Sequence, residues 1–274
     1  MHVFNFFMPW FFFKAGIFHR FGEKLNKQLV RKYLRRYIVP LAFCSLTSYI
    51  LTLIGSGIHL ENGVLDILKN IYNANGVIWF LIAFLITKIL FVLVPDKKKD
   101  LYLIASLLFI ISAYCINSQT QEIPLVIKEV IAASLYYTMG IIIGKEVFKD
   151  WKRIIILTII YAAYIILQPS KIDMRMEYVM WGEYGIAIIG NIVGIVLINS
   201  WAFKNQNIVP SFIKFIGVES MSFYILHIQI YRVVISILSL SEYSSYACVL
   251  VTLSITPLII FIFKKLKIQW LLGK

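Results

Sequence analysis

Long apolar runs separated by short polar or charged clusters set the pattern of this chain. A helix needs about 20 mostly apolar residues to cross the hydrocarbon core of a bilayer. Nine segments approach that requirement: Val3–Phe18, Tyr37–Gly55, Gly76–Val94, Leu101–Asn117, Ile127–Val147, Ile154–Gln168, Tyr184–Phe203, Val218–Leu238 and Tyr246–Phe263. Between the second and third, Gly63–Asn73 carries Val64, Leu65, Ile67, Leu68 and Ile71 at helical spacing. Being short and amphipathic, it is expected to lie along the membrane interface. No internal repeat and no soluble module interrupts the series. The pattern predicts an all-α fold, a polytopic bundle of about nine transmembrane helices forming one integral-membrane domain over residues 1–274.

Composition narrows the picture in the same direction. Hydrophobic residues make up 60% of the 274 and charged residues 15%, against roughly 25% charged in soluble domains. A disordered chain, a coiled coil and an ordinary soluble enzyme are excluded on that ground. The net charge of +13 raises a nucleic-acid reading, because clustered Lys and Arg neutralise phosphates, but the distribution of charge points to membrane orientation. If the first segment enters from outside, the outer loops hold only Lys69, Lys171 and Arg175, and Lys88, Lys128 and Arg232 lie within spans. Every other Lys and Arg falls on the inner side, as the positive-inside rule requires. The C-terminus is then cytosolic and Met1 lies outside. Either an initial inside-to-outside helix is missing or the first segment is re-entrant. The N-terminus shows no signal-peptide pattern. Cys44, Cys115 and Cys248 stand far apart in apolar runs, like small buried hydrophobes, so neither a disulfide frame nor a metal site is expected. No Walker loop, GxGxxG or HExxH is present, which leaves ATP hydrolysis, dinucleotide redox chemistry and zinc proteolysis without support.

Four stretches carry a family likeness. Phe6–Gly16 (FFMPWFFFKAG), Ile78–Phe84 (IWFLIAF), Tyr136–Gly144 (YYTMGIIIG) and Gly217–Ile228 (GVESMSFYILHI) follow in order across nearly the whole chain. Together they resemble acyltransferase family 3, the integral-membrane acyltransferases of bacterial surface glycans. The resemblance implies a multi-pass protein of the bacterial inner membrane, surrounded by membrane lipid, with no tightly bound cofactor and no nucleic-acid partner. It implies transfer of an acyl group, acetyl in the simplest case, from acyl-coenzyme A to a surface-glycan or lipid-linked sugar hydroxyl. There are departures. Phe7 stands where the family motif has His, and the family's opening helix, with its Arg and His, does not precede Val3. Of the family's Arg-x-x-Arg before a Pro, Arg36 matches, and Tyr33 takes the earlier position. A glycolipid transporter, or an inactive truncated relative acting as an assembly partner, are the alternative expectations.

His227 is the one histidine deep within a predicted span. Ser220, Tyr224, His227 and Tyr231 recur at helical spacing and form a polar stripe on an apolar helix. Intramembrane polar groups face the bundle interior or a wet cavity. His227 is therefore a candidate general base toward the acceptor hydroxyl, with Ser220, Tyr224 and Tyr231 lining the acceptor cavity. The competing reading is a packing histidine bonded to a neighbouring helix. Arg35 and Arg36 would hold the donor phosphates through bidentate guanidinium contacts, or serve only as inner-leaflet anchors. Trp79 is either a sugar platform or an aromatic-belt residue. Tyr136, Tyr137, Tyr161 and Tyr164 either line a cavity or anchor at the interface. Gly140-x-x-x-Gly144 and Gly190-x-x-x-Gly194 predict close helix packing.

Overall fold

The computed structural model of the protein describes residues 7–22, 26–56, 78–93, 98–117, 125–149, 151–167, 181–238 and 245–274. In chain order the helices are α1 (Phe7–Ile17), α2 (Lys27–Tyr33), α3 (Val39–Ser56), α4 (Ile78–Val92), α5 (Lys98–Asn117), α6 (Leu125–Ile143), α7 (Trp151–Leu167), α8 (Trp181–Lys204), α9 (Ser211–Val218), α10 (Ser220–Leu238) and α11 (Ser245–Lys265). A π-helical turn over Leu34–Ile38 joins α2 to α3, and 3-10 turns cover Glu146–Lys149 and Gln269–Leu272. No strand occurs among the described residues, so the fold is all-α.

Each of the nine predicted apolar segments overlaps one of these helices, with ends shifted by a few residues. Val126–Ile143 and Gly185–Lys204 are long and apolar enough to cross a membrane. A third crossing results if α9 and Ser220–Tyr231 of α10, bent by 76°, form one broken span. Phe80–Val92 and Asp100–Tyr114 are shorter apolar helices. The first segment is reduced within the described residues to the 11 residues of α1, about 17 Å at the α-helical rise. The expected helix at Gly63–Asn73 lies outside the described residues. The eighth segment differs from expectation at its start: its helix breaks at Glu219, between α9 and α10.

The helices gather into two compact units, one formed by Met1–Lys24 with Ala83–Val209, the other by Leu25–Ile82 with Pro210–Lys274. In the first unit, α1 and α6 cross at two glycines. A Cβ on Gly16 would overlap the Tyr137 carbonyl and lie 3.1 Å from the Ile141 nitrogen. A Cβ on Gly140 would overlap the Phe13 carbonyl and lie 3.1 Å from the Ile17 nitrogen. The contact is reciprocal, and only two hydrogens let the backbones come this close. Around it Phe12, Phe13, Ala133 and Tyr137 are completely buried. Gly190 plays a similar part between α7 and α8, where the Tyr164 ring occupies the space a Cβ would need. Gly144 has another use: with φ at +64° and open space around it, it ends α6 rather than packing a helix.

In the second unit, α3 and α10 are tied by side chain to backbone. Gln229 donates to the Cys44 carbonyl at 3.0 Å, and the Cys44 thiol reaches the Ile225 carbonyl at 3.7 Å. Cys44, Ile225, Leu226, Ile260 and Leu272 share one buried core, so the 3-10 turn near residue 272 is anchored among the helices.

Gly16→Ala and Gly140→Ala should each destabilise the first unit by about 1–3 kcal/mol, because the added methyl meets backbone that cannot yield. Gly217→Ala, on α9 with nothing within reach of its Cβ, should be neutral or slightly stabilising. Thermal unfolding of the detergent-purified variants measures both.

Candidate functional site

The predicted stripe lies on one helix. Ser220 opens α10, and Tyr224, His227 and Tyr231 follow on it. Tyr224 is buried, whereas Ser220, His227 and Tyr231 are half-buried. The Tyr224 ring sits 4.5 Å from Phe80 and 5.6 Å from the His227 imidazole, centroid to centroid. Tyr231 packs against the Cys44–Ile225 core, which gives it a packing contact beside any role in lining a cavity. Trp79 is in the first turn of α4, and its side chain lies outside the described residues.

His227 is held by its own helix. Its Nδ1 is 2.7 Å from the Tyr224 carbonyl and 3.1 Å from the Phe223 carbonyl. Carbonyl oxygens only accept, so Nδ1 carries a proton, and in the neutral ring the lone pair is on Nε2. The packing alternative posed a hydrogen bond to a neighbouring helix; the bonds seen here are within α10 and leave the ring's far nitrogen as the basic one.

Arg35 and Arg36 are exposed on the π-helical turn, while Tyr33 and Tyr37 on the opposite side are buried with rings 6.0 Å apart. The turn has a local cause. In an α-helix the Arg36 carbonyl would accept from residue 40, but Pro40 has no N–H and its ring crowds that carbonyl. The backbone widens instead, and Val39 N–H reaches back five residues to the Leu34 carbonyl. Such π turns recur at functional positions. Here the turn places two guanidinium groups at the surface of the second unit.

Two polar centres escaped the sequence reading. Glu219, at the break between α9 and α10, is only 3% exposed. Its carboxylate meets Lys264 at 2.6 Å and Lys274 at 2.6 Å, and accepts from the Ser222 hydroxyl at 3.2 Å. Its signal was a lone acid beside the stripe, but its partners are 45 and 55 residues away, so no local pattern could pair them. In the first unit the fully buried Tyr137 hydroxyl lies 3.0 Å from Lys88 Nζ and 2.9 Å from His19 Nδ1. The ammonium only donates, so the hydroxyl accepts from Lys88, and it bonds His19 Nδ1 as donor or acceptor according to the imidazole tautomer. Tyr136 accepts from Asn191 at 3.0 Å, and Tyr161 and Tyr164 stack at 5.9 Å. Tyr136 and Tyr137 thus bond across helices, and the Tyr164 ring packs on Gly190. A separate cavity of about 480 Å³ in the first unit is lined by Phe148, Lys149, Ile154, Phe203 and Lys204, none of them a predicted site residue. Among the described residues no group of three or more His, Cys, Asp or Glu comes together that could hold a metal.

A family model described as an acyltransferase domain matches residues 3–264. The chain belongs to acyltransferase family 3. The match runs through both units, and membership supports acyltransferase activity in general terms. Apolar helices and family membership together suggest a membrane protein. No curated protein and no solved structure matches the chain. Two of the stretches that resembled the family meet in the fold of this family-3 chain: Gly16 of the first and Gly140 of the third form the α1–α6 crossing. The fourth, Gly217–Ile228, spans the break at Glu219 and carries His227.

Tyr137→Phe keeps the ring and removes the hydroxyl between Lys88 and His19. The expected cost is about 1–2 kcal/mol, since the half-buried Lys88 ammonium loses this acceptor, read as a lower Tm in detergent. An unchanged Tm would mean that water replaces the hydroxyl.

Proposed function

We propose that this protein is a multi-pass, membrane-bound O-acyltransferase that moves an acyl group, acetyl in the simplest case, from acyl-coenzyme A to a surface-glycan or lipid-linked sugar hydroxyl. The proposed setting is the bacterial inner membrane, with about nine spans and the C-terminus in the cytosol, and it rests on the apolar periodicity and the inner bias of Lys and Arg. The observation that carries the chemistry is the anchoring of His227 Nδ1 on the Tyr224 and Phe223 carbonyls. That contact fixes the tautomer and turns Nε2 into the base.

In the proposed reaction the sugar hydroxyl gives its proton to Nε2 of His227 as its oxygen attacks the thioester carbonyl. A C–O bond forms, the C–S bond breaks, and the imidazolium returns the proton to the departing sulfur. Arg35 and Arg36 hold the phosphates of the donor, for which an exposed guanidinium pair is suited. Ser220, Tyr224, Tyr231 and Trp79 line the acceptor side, and the coenzyme is a substrate rather than a resident cofactor.

His227→Gln retains size and hydrogen bonding but has no basic nitrogen. The variant should accumulate normally and lose about 10²–10⁴-fold in kcat. A packing histidine would tolerate glutamine, since an intramembrane hydrogen bond averages only about 0.6 kcal/mol. Turnover above about a tenth of wild type returns His227 to packing.

Arg36→Ala should raise the KM for acyl-coenzyme A in proteoliposomes about tenfold, through loss of a charge-assisted phosphate contact, at unchanged protein abundance. An unchanged KM with reduced abundance makes Arg36 an anchor. Mass spectrometry of glycan from a deletion strain tests the reaction class: loss of an acyl ester supports transfer, loss of the whole glycan indicates transport, and no change indicates an inactive partner.

A further inference from the structure

The 3-10 turn at Gln269–Leu272 and the two residues after it dock on the π-helical turn that carries Arg35 and Arg36. Three observations define the contact. Leu272 is 1% exposed and belongs to the core with Cys44 and Ile260, which fixes the segment in depth. Gly273 has φ at +80°, and a Cβ on it would overlap the Arg36 carbonyl oxygen and lie 3.1 Å from Pro40 Cγ. Lys274 then donates to the Val218 carbonyl at 3.0 Å and to Glu219 at 2.6 Å. Lys264 grips the other carboxylate oxygen of Glu219 at 2.6 Å.

These contacts fall where the helix is weakest. Pro40 both withholds the hydrogen bond that the Arg36 carbonyl would accept in an α-helix and pushes that carbonyl aside. The displaced carbonyl meets Gly273, the residue type that combines positive φ with no side chain to keep the two backbones apart. Glycine is needed on both counts: the left-handed φ closes the 3-10 turn, where the Gly273 N–H points back to the Gln269 and Trp270 carbonyls, and the missing side chain admits the Arg36 carbonyl. The ammonium of Lys274 caps the last carbonyl of α9 and ties the segment to a buried carboxylate. A segment bound at both ends, with its middle pressed on the Arg36 carbonyl, sets the position of the π turn.

We propose that residues 269–274 position Arg36, with Gly273 as the contact point and Lys274–Glu219 as the fastening that keeps the segment on the turn. Gly273 and Lys274 are positioning residues: they act through Arg36 and touch no substrate. The proposal rests on the donor-binding role given to Arg36 above and adds to it the element that orients the guanidinium toward phosphate.

The test is a double-mutant cycle read by equilibrium binding of acetyl-coenzyme A to the full chain in nanodiscs, with kcat at saturating donor measured in parallel. Gly273→Ala should weaken binding about tenfold while kcat changes less than about twofold. In an Arg36→Ala background the same substitution should add less than about twofold, because the residue it acts through is gone. Lys274→Gln, which loosens the segment without adding a Cβ, should weaken binding several-fold, and Lys274→Arg should restore it. This pair decides the matter if Gly273→Ala does not fold. Equal loss from Gly273→Ala with and without Arg36, or full binding in both Gly273→Ala and Lys274→Gln while Arg36→Ala binds poorly, overturns the positioning role and leaves the donor reading standing. Unchanged binding in Arg36→Ala overturns the donor reading and this proposal with it.

Discussion

A carboxylate removed from water is tolerable only when cations meet it, and Glu219 imposes that requirement on the whole second unit. Burying one ion unpaired costs several kcal/mol. Two lysines from distant parts of the chain therefore have to arrive at the same point, Lys264 at the end of α11 and Lys274 beyond the 3-10 turn. Their arrival fixes three things together: the break between α9 and α10, the end of α11 against that break, and the path of residues 269–274. Each lysine remains about a third exposed, so solvent screens part of the attraction. The specificity comes from geometry: each carboxylate oxygen has one ammonium, and Ser222 adds a third donor.

The first unit solves a different problem with different means. Between helices in an apolar medium, van der Waals contact and hydrogen bonds replace the hydrophobic effect as the force of association. The Gly16–Gly140 crossing supplies the contact, and the Lys88–Tyr137–His19 chain supplies a polar lock beside it on the same helix, α6. A close crossing needs small residues and a lock needs long ones. Tyr137 and Gly140 are three positions apart, so one turn of α6 presents both. The stretches FFMPWFFFKAG and YYTMGIIIG, which look like simple apolar sequence, thus each supply one half of a single interface.

The elements were legible because apolar periodicity is local. Each of the nine predicted spans overlaps a helix, and the glycine pairs pointed to close packing at Gly140 and Gly190. What sequence could not supply was partnership. Gly144 has the same spacing to Gly140 that a packing motif would have, but positive φ makes it a terminator, a distinction that lives in the backbone. His19 drew no reading from the sequence and Lys88 counted only as a charge inside a span, because the tyrosine that joins them lies 118 and 49 residues away. The break at Glu219 was hidden for the same reason: the acid stands at the start of the predicted span Val218–Leu238, and only the distant lysines make it acceptable there. On α10, spacing correctly placed Ser220, Tyr224, His227 and Tyr231 on one helix, while the tautomer of His227 needed coordinates.

The two halves of the proposed chemistry lie in one unit, and the reason is structural economy. A thioester donor with polyanionic phosphates calls for exposed cations at a helix end, whereas proton abstraction calls for a neutral base inside the bundle. These demands conflict within a single helix, since a charge beside the imidazole would oppose its protonation in the reaction. The chain separates them onto α10 and the π turn before α3, then couples the two through neutral contacts: Gln229 to the Cys44 carbonyl and the Cys44 thiol to the Ile225 carbonyl. Neither contact carries a formal charge, so α3 and α10 are tied together by neutral groups at this point. The charged fastening at Glu219 sits at the N-terminal end of α10, two helical turns before the imidazole, so the ion cluster and the proposed base occupy different parts of one helix.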